Sequence, residues 1–239
     1  MVIAAIAAIC SLRSKKAAPA YLALGDSYTI GEAVDSGDRY PVQALRRLDP
    51  AGRPEIIATT GWTTANLLDA LTAAKPAAGY DAVSLLIGVN NQYQGRSQAE
   101  YQAQFAALLK TAIELAGNRP GHVLVLSIPD YSVTPFAHGR NTALTGRSPV
   151  GHCDHCGEKL FSRNFSPQYL AAQIDSFNAI NHRIAAAYRV NYLDVTTESR
   201  KAAGDPSLVA ADGLHFSGRE YAIWAKLMEP WLLTALSQP

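Results

Sequence analysis

The stretch YLALGDSYTIGE, Tyr21 to Glu32, starts as an uninterrupted apolar run and stops at Gly25-Asp26-Ser27. Apolar residues in succession, without alternation, suit a strand buried on both faces, and such strands belong to parallel sheets covered by helices. Four later runs read alike: EIIAT (55–59), AVSLLIG (82–88), HVLVLSI (122–128) and NYLDV (191–195). On this stretch alone, Ser27 is a serine in a turn, a common place for a hydroxyl that bonds nearby backbone.

Segments with helical spacing separate these runs. YPVQALRRL (40–48) carries Pro41 in a first turn, where its missing N–H costs little. TTANLLDALTAA (63–74) and QAEYQAQFAALLKTAIELAG (98–117) are amphipathic, and Gly117 is placed to stop the second. Ser166 reads as the N-cap of SPQYLAAQIDSFNAINHRIAAAY (166–188), with Pro167 behind it. GREYAIWAKLMEPWLLTAL (218–236) is helical around Pro230. Strands alternating with such helices predict an α/β fold: a doubly wound three-layer sandwich around a five-stranded parallel sheet.

The 239 residues, 48% hydrophobic and 17% charged, suffice for one domain with a well-buried core and do not require a second. A net charge of +1 without a dense Lys/Arg run argues against nucleic acid as a partner. No apolar run is long enough for a stable membrane span. Residues 1–20 read as a leader ahead of a single domain over 21–239. In that leader MVIAAIAAIC precedes the basic residues, the wrong order for a signal peptide, although Ala18 and Ala20 form a small-x-small pattern. A degenerate export signal and a disordered leader both fit; export is the working expectation, with a cytoplasmic location as the alternative.

In a doubly wound sheet, ligands bind beyond the carboxyl ends of the strands. Ser27 follows the first run, Gly61 the second, and Gly88 and Asn90 the third, so all fall on that rim. Near the C-terminus, AADGLHFSG places Asp212 three residues before His215. A nucleophilic serine needs a base, and a carboxylate that fixes the base's tautomer improves it; an Asp-x-x-His turn can supply both.

These pieces, in this order and spread over nearly the whole domain, resemble the SGNH/GDSL hydrolase family. GDSYT is similar to its first block, TTGWTT to its second, GVNN to its third and DGLH to its last. The resemblance implies a flavodoxin-like fold and a serine hydrolase acting on carboxylic esters through an acyl-enzyme. It implies Ser27 as nucleophile, His215 as base and Asp212 as orienting acid. The backbone N–H groups of Ser27 and Gly61 and the side-chain amide of Asn90 would form the oxyanion hole. The substrate would be a small-molecule, lipid or carbohydrate ester, with no metal and no organic cofactor. Departures are Tyr28 where leucine is common, Asn91 where aspartate is common and expected to support the loop, and Phe216 where proline is frequent. The other familiar serine-hydrolase signature, G-x-S-x-G, fails because its second glycine is absent. An acyltransferase using the same acyl-enzyme and an inactive binding module on the same fold are the competing readings.

Other residues carry structural readings. Asp26 is a turn-fixing carboxylate, and His122 and His182 are structural or surface residues. Trp62 is open between pocket wall and buried structural aromatic, whereas SIPDYSVTPF (127–136) is expected to wall the pocket. Residues 136–165 lack a sustained period, and so long a loop is usually functional or mobile. Within it His152, Cys153, His155 and Cys156 crowd four zinc-type ligands into five residues, too close to enclose one ion easily. An unliganded loop or a local disulfide is the expectation there. Cys10 is left over.

Overall fold

The computed structural model describes residues 20–139 and 165–237. The expectations for the leader and for the Cys153/Cys156 motif lie outside the described residues. Five strands, β1 (Tyr21–Gly25), β2 (Glu55–Ala58), β3 (Ala82–Leu86), β4 (Val123–Leu126) and β5 (Asn191–Leu193), form one sheet in the order β2-β1-β3-β4-β5. Every pairing is parallel, with Leu22 opposite both Glu55 and Val83, Val83 opposite Val123, and Leu124 opposite Asn191. The three inner strands are buried along their whole length, and the edge strands β2 and β5 open on exposed residues. Continuous apolarity in the sequence thus marks strands covered on both faces.

The helices are α1 (Ser27–Ile30), α2 (Tyr40–Arg46), α3 (Thr64–Ala74), α4 (Val89–Tyr93), α5 (Gln98–Leu115), α6 (Pro167–Ala187), α7 (Thr196–Ser199) and α8 (Gly218–Ser237). α2 packs on α8 in one layer, while α3, α5 and α6 pack in series in the other. Their starts follow side-chain chemistry. Thr63 and Asn66 form a capping box at α3, and the Ser166 hydroxyl accepts the Tyr169 N–H at 3.2 Å at the start of α6. Gly117, at a φ of 69°, ends α5, and Pro230 sits inside α8.

The strands stop sooner than the apolar runs. Ile87, Ile128 and Val195 lie past the last paired residues of β3, β4 and β5, yet all three are fully buried. These residues are covered without being paired, so apolarity reports burial and not pairing. At the other end of β4, His122 closes a 3₁₀ turn, Pro120–His122, and its buried Nδ1 lies 2.8 Å from the Asp81 carbonyl oxygen. His182 is exposed on α6, edge-on to Tyr192. Neither histidine departs from its structural or surface reading.

β1 lies between β2 and β3, so the connection from β1 to β2 runs one way along the sheet and the next, from β2 to β3, runs back past β1. The crevice at such a switch point is where an open α/β sheet binds ligands. Gly25 ends β1 there. A Cβ at this position would collide with the Leu86 carbonyl oxygen of β3 and with the Thr29 side chain. Gly25→Ala is therefore expected to destabilise the fold by about 1–3 kcal/mol, as overpacking does. Urea unfolding checks it: an unchanged midpoint would mean that β1 and β3 part without cost.

Candidate active site

Ser27 is the first residue of α1, directly after the buried N-cap Asp26. Asp26 Oδ1 accepts the Tyr28 N–H at 3.1 Å, which turns the chain out of the strand and leaves Ser27 at the mouth of the crevice. The turn-fixing reading of Asp26 is what the geometry displays. Tyr28 is buried, with its ring edge-on to His215 at 5.6 Å and tilted against Phe216 at 5.8 Å.

The second loop is a tight turn. The Trp62 N–H donates to the Thr59 carbonyl at 3.2 Å, and Gly61 occupies the third position at a φ of 83°. No side chain would crowd a Cβ there, so the left-handed backbone is what calls for glycine. Thr60 is tied to Glu32 through its hydroxyl. The third loop runs into α4, where Asn90 Nδ2 donates to the Trp62 carbonyl at 3.0 Å. Beside it, buried Asn91 accepts the Thr64 N–H at 3.0 Å and donates to the Thr64 hydroxyl at 2.8 Å. Two adjacent asparagines thus hold the loops after β2 and β3 together.

Before α8, Asp212 organises its own turn. Oδ1 accepts the backbone N–H groups of Leu214 and His215 at 2.9 and 3.0 Å, and Oδ2 lies 2.6 Å from His215 Nδ1. A carboxylate only accepts, so Nδ1 carries a proton and Nε2 is the ring nitrogen left to act as a base. Burial would raise the Asp212 carboxyl, but the hydrogen bonds from the His215 ring and the two backbone N–H groups prevail and hold it below the usual carboxylate value. The turn is braced by the Ala210 N–H on the His215 carbonyl and the Phe136 N–H on the Gly213 carbonyl.

Ser27, Gly61, Asn90 and His215 line one cleft, with Asp212 behind His215. Four loops distant in sequence thus converge. The SIPDYSVTPF segment does wall this cleft, through Tyr131 and Phe136. Asp130 holds it: buried, it accepts the Ser132 N–H at 2.9 Å and Arg200 Nε at 2.8 Å, while Arg200 also reaches Asp175 at 2.7 Å. Trp62 is half-buried against the core and contributes its carbonyl to Asn90. Thr60, Val89, Tyr93 and Leu214 also line the cleft without having been singled out in the sequence.

The chain matches the model of the GDSL-like lipase/acylhydrolase family over residues 23–223. Among solved structures, that of TesA aligns with a TM-score of 0.64 at 19% identity, covering 91% of this chain and 99% of that one. The lipase/acylhydrolase from Enterococcus faecalis aligns at 0.58 with 19% identity, covering 91% of this chain and 97% of its own. A variant of Axe2, an acetyl-xylooligosaccharide esterase from Geobacillus stearothermophilus, aligns at 0.57 with 16% identity, covering 90% and 94%. At such identities these likenesses speak to the fold. No curated protein sequence matches the chain significantly. Among the described residues, no helix is long and apolar enough to cross a membrane.

Asp26 sets a pH test. Its complete burial pushes the carboxyl up to about 7, and the N–H groups of Tyr28 and Gly88 only partly offset this. Between the ordinary carboxylate value of about 4 and that raised value, the native chain keeps a proton that the unfolded chain gives up. Stability from this group is therefore present at low pH and lost as pH rises. Asp26→Asn keeps the acceptor for Tyr28 and cannot ionise. Wild type should lose stability relative to this variant as pH rises from about 4 to about 7. Denaturant midpoints of both proteins across that range check it; a constant difference would mean that Asp26 does not titrate there.

Proposed function

Because the chain belongs to the GDSL-like lipase/acylhydrolase family, we propose that it hydrolyses carboxylic esters through an acyl-enzyme on Ser27. The observation that carries this reading is the convergence of Ser27, Gly61, Asn90 and an Asp212-held His215 on one cleft. The activities named for the fold neighbours, an acylhydrolase and an acetyl-xylooligosaccharide esterase, support the same reaction class.

His215 Nε2 takes the Ser27 hydroxyl proton as Oγ attacks the ester carbonyl carbon. The carbonyl π electrons move onto oxygen, where the backbone N–H groups of Ser27 and Gly61 and the amide of Asn90 receive the charge. Asn90 has two amide hydrogens; one holds the Trp62 carbonyl, which leaves the other for the oxyanion. Collapse of the tetrahedral intermediate expels the alcohol, protonated by the imidazolium. Water then gives a proton to Nε2, attacks the acyl-enzyme, and releases the acid with Ser27 restored. Asp212, kept ionised by its three hydrogen bonds, steadies the imidazolium in both halves.

The two asparagines separate chemistry from scaffolding. An oxyanion donor acts chiefly on the transition state, and losing one costs about 10²–10³ in kcat. Asn90→Ala should show that loss with KM little changed, chemistry being rate-limiting. Asn91→Ala strands the buried Thr64 N–H, which should cost about 1–3 kcal/mol of stability and change turnover modestly. Steady-state kinetics on one soluble ester, with Ser27→Ala as the inactive blank, check both. Activity in Ser27→Ala would end the acyl-enzyme reading, and a selective kcat loss in Asn91→Ala alone would shift the oxyanion role by one residue.

A further inference from the structure

Two cavities share one wall. The cleft at Ser27 has a volume of about 50 Å³, and beside it lies a groove of about 470 Å³ bordered by α4 and α6. Tyr93, Tyr131 and Phe136 line both. Their rings contact one another all round, with centroids 6.3 Å apart for Tyr93–Tyr131 and 6.4 Å for each ring against Phe136. The wall is anchored in the machinery already described. The Tyr131 hydroxyl donates to buried Gln92 at 3.0 Å, and the Phe136 N–H holds the Gly213 carbonyl in the turn that carries His215.

We propose that the trio of Tyr93, Tyr131 and Phe136 limits the acyl group to short chains, acetyl to butyryl, by closing the Ser27 cleft off from the larger groove. This rests on the acyl-enzyme reading above. The cleft, at about 50 Å³ against about 470 Å³, is the small side of the wall. Acyl groups from acetyl to butyryl are short enough to stay on it. Further methylenes meet the aromatic wall and turn toward water, where they add no binding. Behind the wall lies the groove, lined among the described residues by Leu170 and Phe177 of α6 as well as by Gln92, Arg96 and Gln173, and a methylene laid against its apolar side would add to transition-state binding. Phe136 is the ring to remove: it is half-buried and has no side-chain hydrogen bond to break.

The test uses p-nitrophenyl esters from acetyl to octanoyl with the full chain. Wild type should show kcat/KM level or falling beyond butyryl. Phe136→Ala joins the two cavities, and each methylene entering the groove is worth up to about fourfold, the equivalent of about 0.8 kcal/mol. The octanoyl-to-butyryl ratio should rise at least about tenfold over wild type, with Phe136→Leu between the two and Phe136→Trp showing no rise. The ratio within each protein cancels any general loss of activity. A wild-type preference for octanoyl over butyryl overturns the proposal. So does an unchanged ratio in Phe136→Ala and Phe136→Leu while turnover still requires Ser27, and the nucleophile reading then stands. Turnover that survives Ser27→Ala in either background overturns both.

Discussion

β1 is hydrogen-bonded on both edges by parallel neighbours, β2 and β3, and covered on both faces. That double pairing is the constraint on which the rest depends. A strand enclosed in this way must be apolar throughout, as Tyr21–Gly25 is, and its end must be narrow enough for β3 to pass close by, as Gly25 allows. Parallel order sends every strand's carboxyl end to the same rim. The loops carrying Ser27, Gly61 and Asn90 therefore emerge side by side without any contact between them in sequence.

Placing loops on one rim is not enough to build a site; each must also be held still. Buried and half-buried polar groups do this, and each acts through more than one bond. Asp212 binds three hydrogens, Asn91 clasps the first residue of α3, and Asp130 ties the Tyr131 segment to Arg200 and through it to α6. In a low-dielectric interior an unmet polar group is costly, so these groups fix one loop arrangement rather than many. The reaction proposed here needs that fixity, because an oxyanion hole works only if its donors are in place before charge develops.

The fold was legible because two-faced burial leaves an unmistakable apolar run, and two helix starts because Ser166 and Pro41 have local chemistry that acts on their own backbone. Strand ends were less so: Ile87 and Ile128 are as buried as the strand residues before them and Val195 is more so, and hydrophobicity alone cannot tell pairing from covering. The five candidate site residues stood out through the order of their blocks, and Ser27, Gly61 and Asn90 also through their rim positions. Thr60, Val89, Tyr93 and Leu214 did not, since a single side chain turned toward a cleft from a short helix or loop has no period to reveal it. The raised carboxyl of Asp26 was equally hidden, for it follows from complete burial that only the packed fold creates.

The central claim is that Ser27 is the nucleophile that His215 activates. A fluorophosphonate forms a covalent adduct with an activated serine, and peptide mass mapping locates it. The account predicts one adduct per chain, on Ser27, forming in step with the loss of ester hydrolysis and strongly slowed in His215→Ala. An adduct on another residue, or hydrolysis that persists once Ser27 is fully modified, would contradict it.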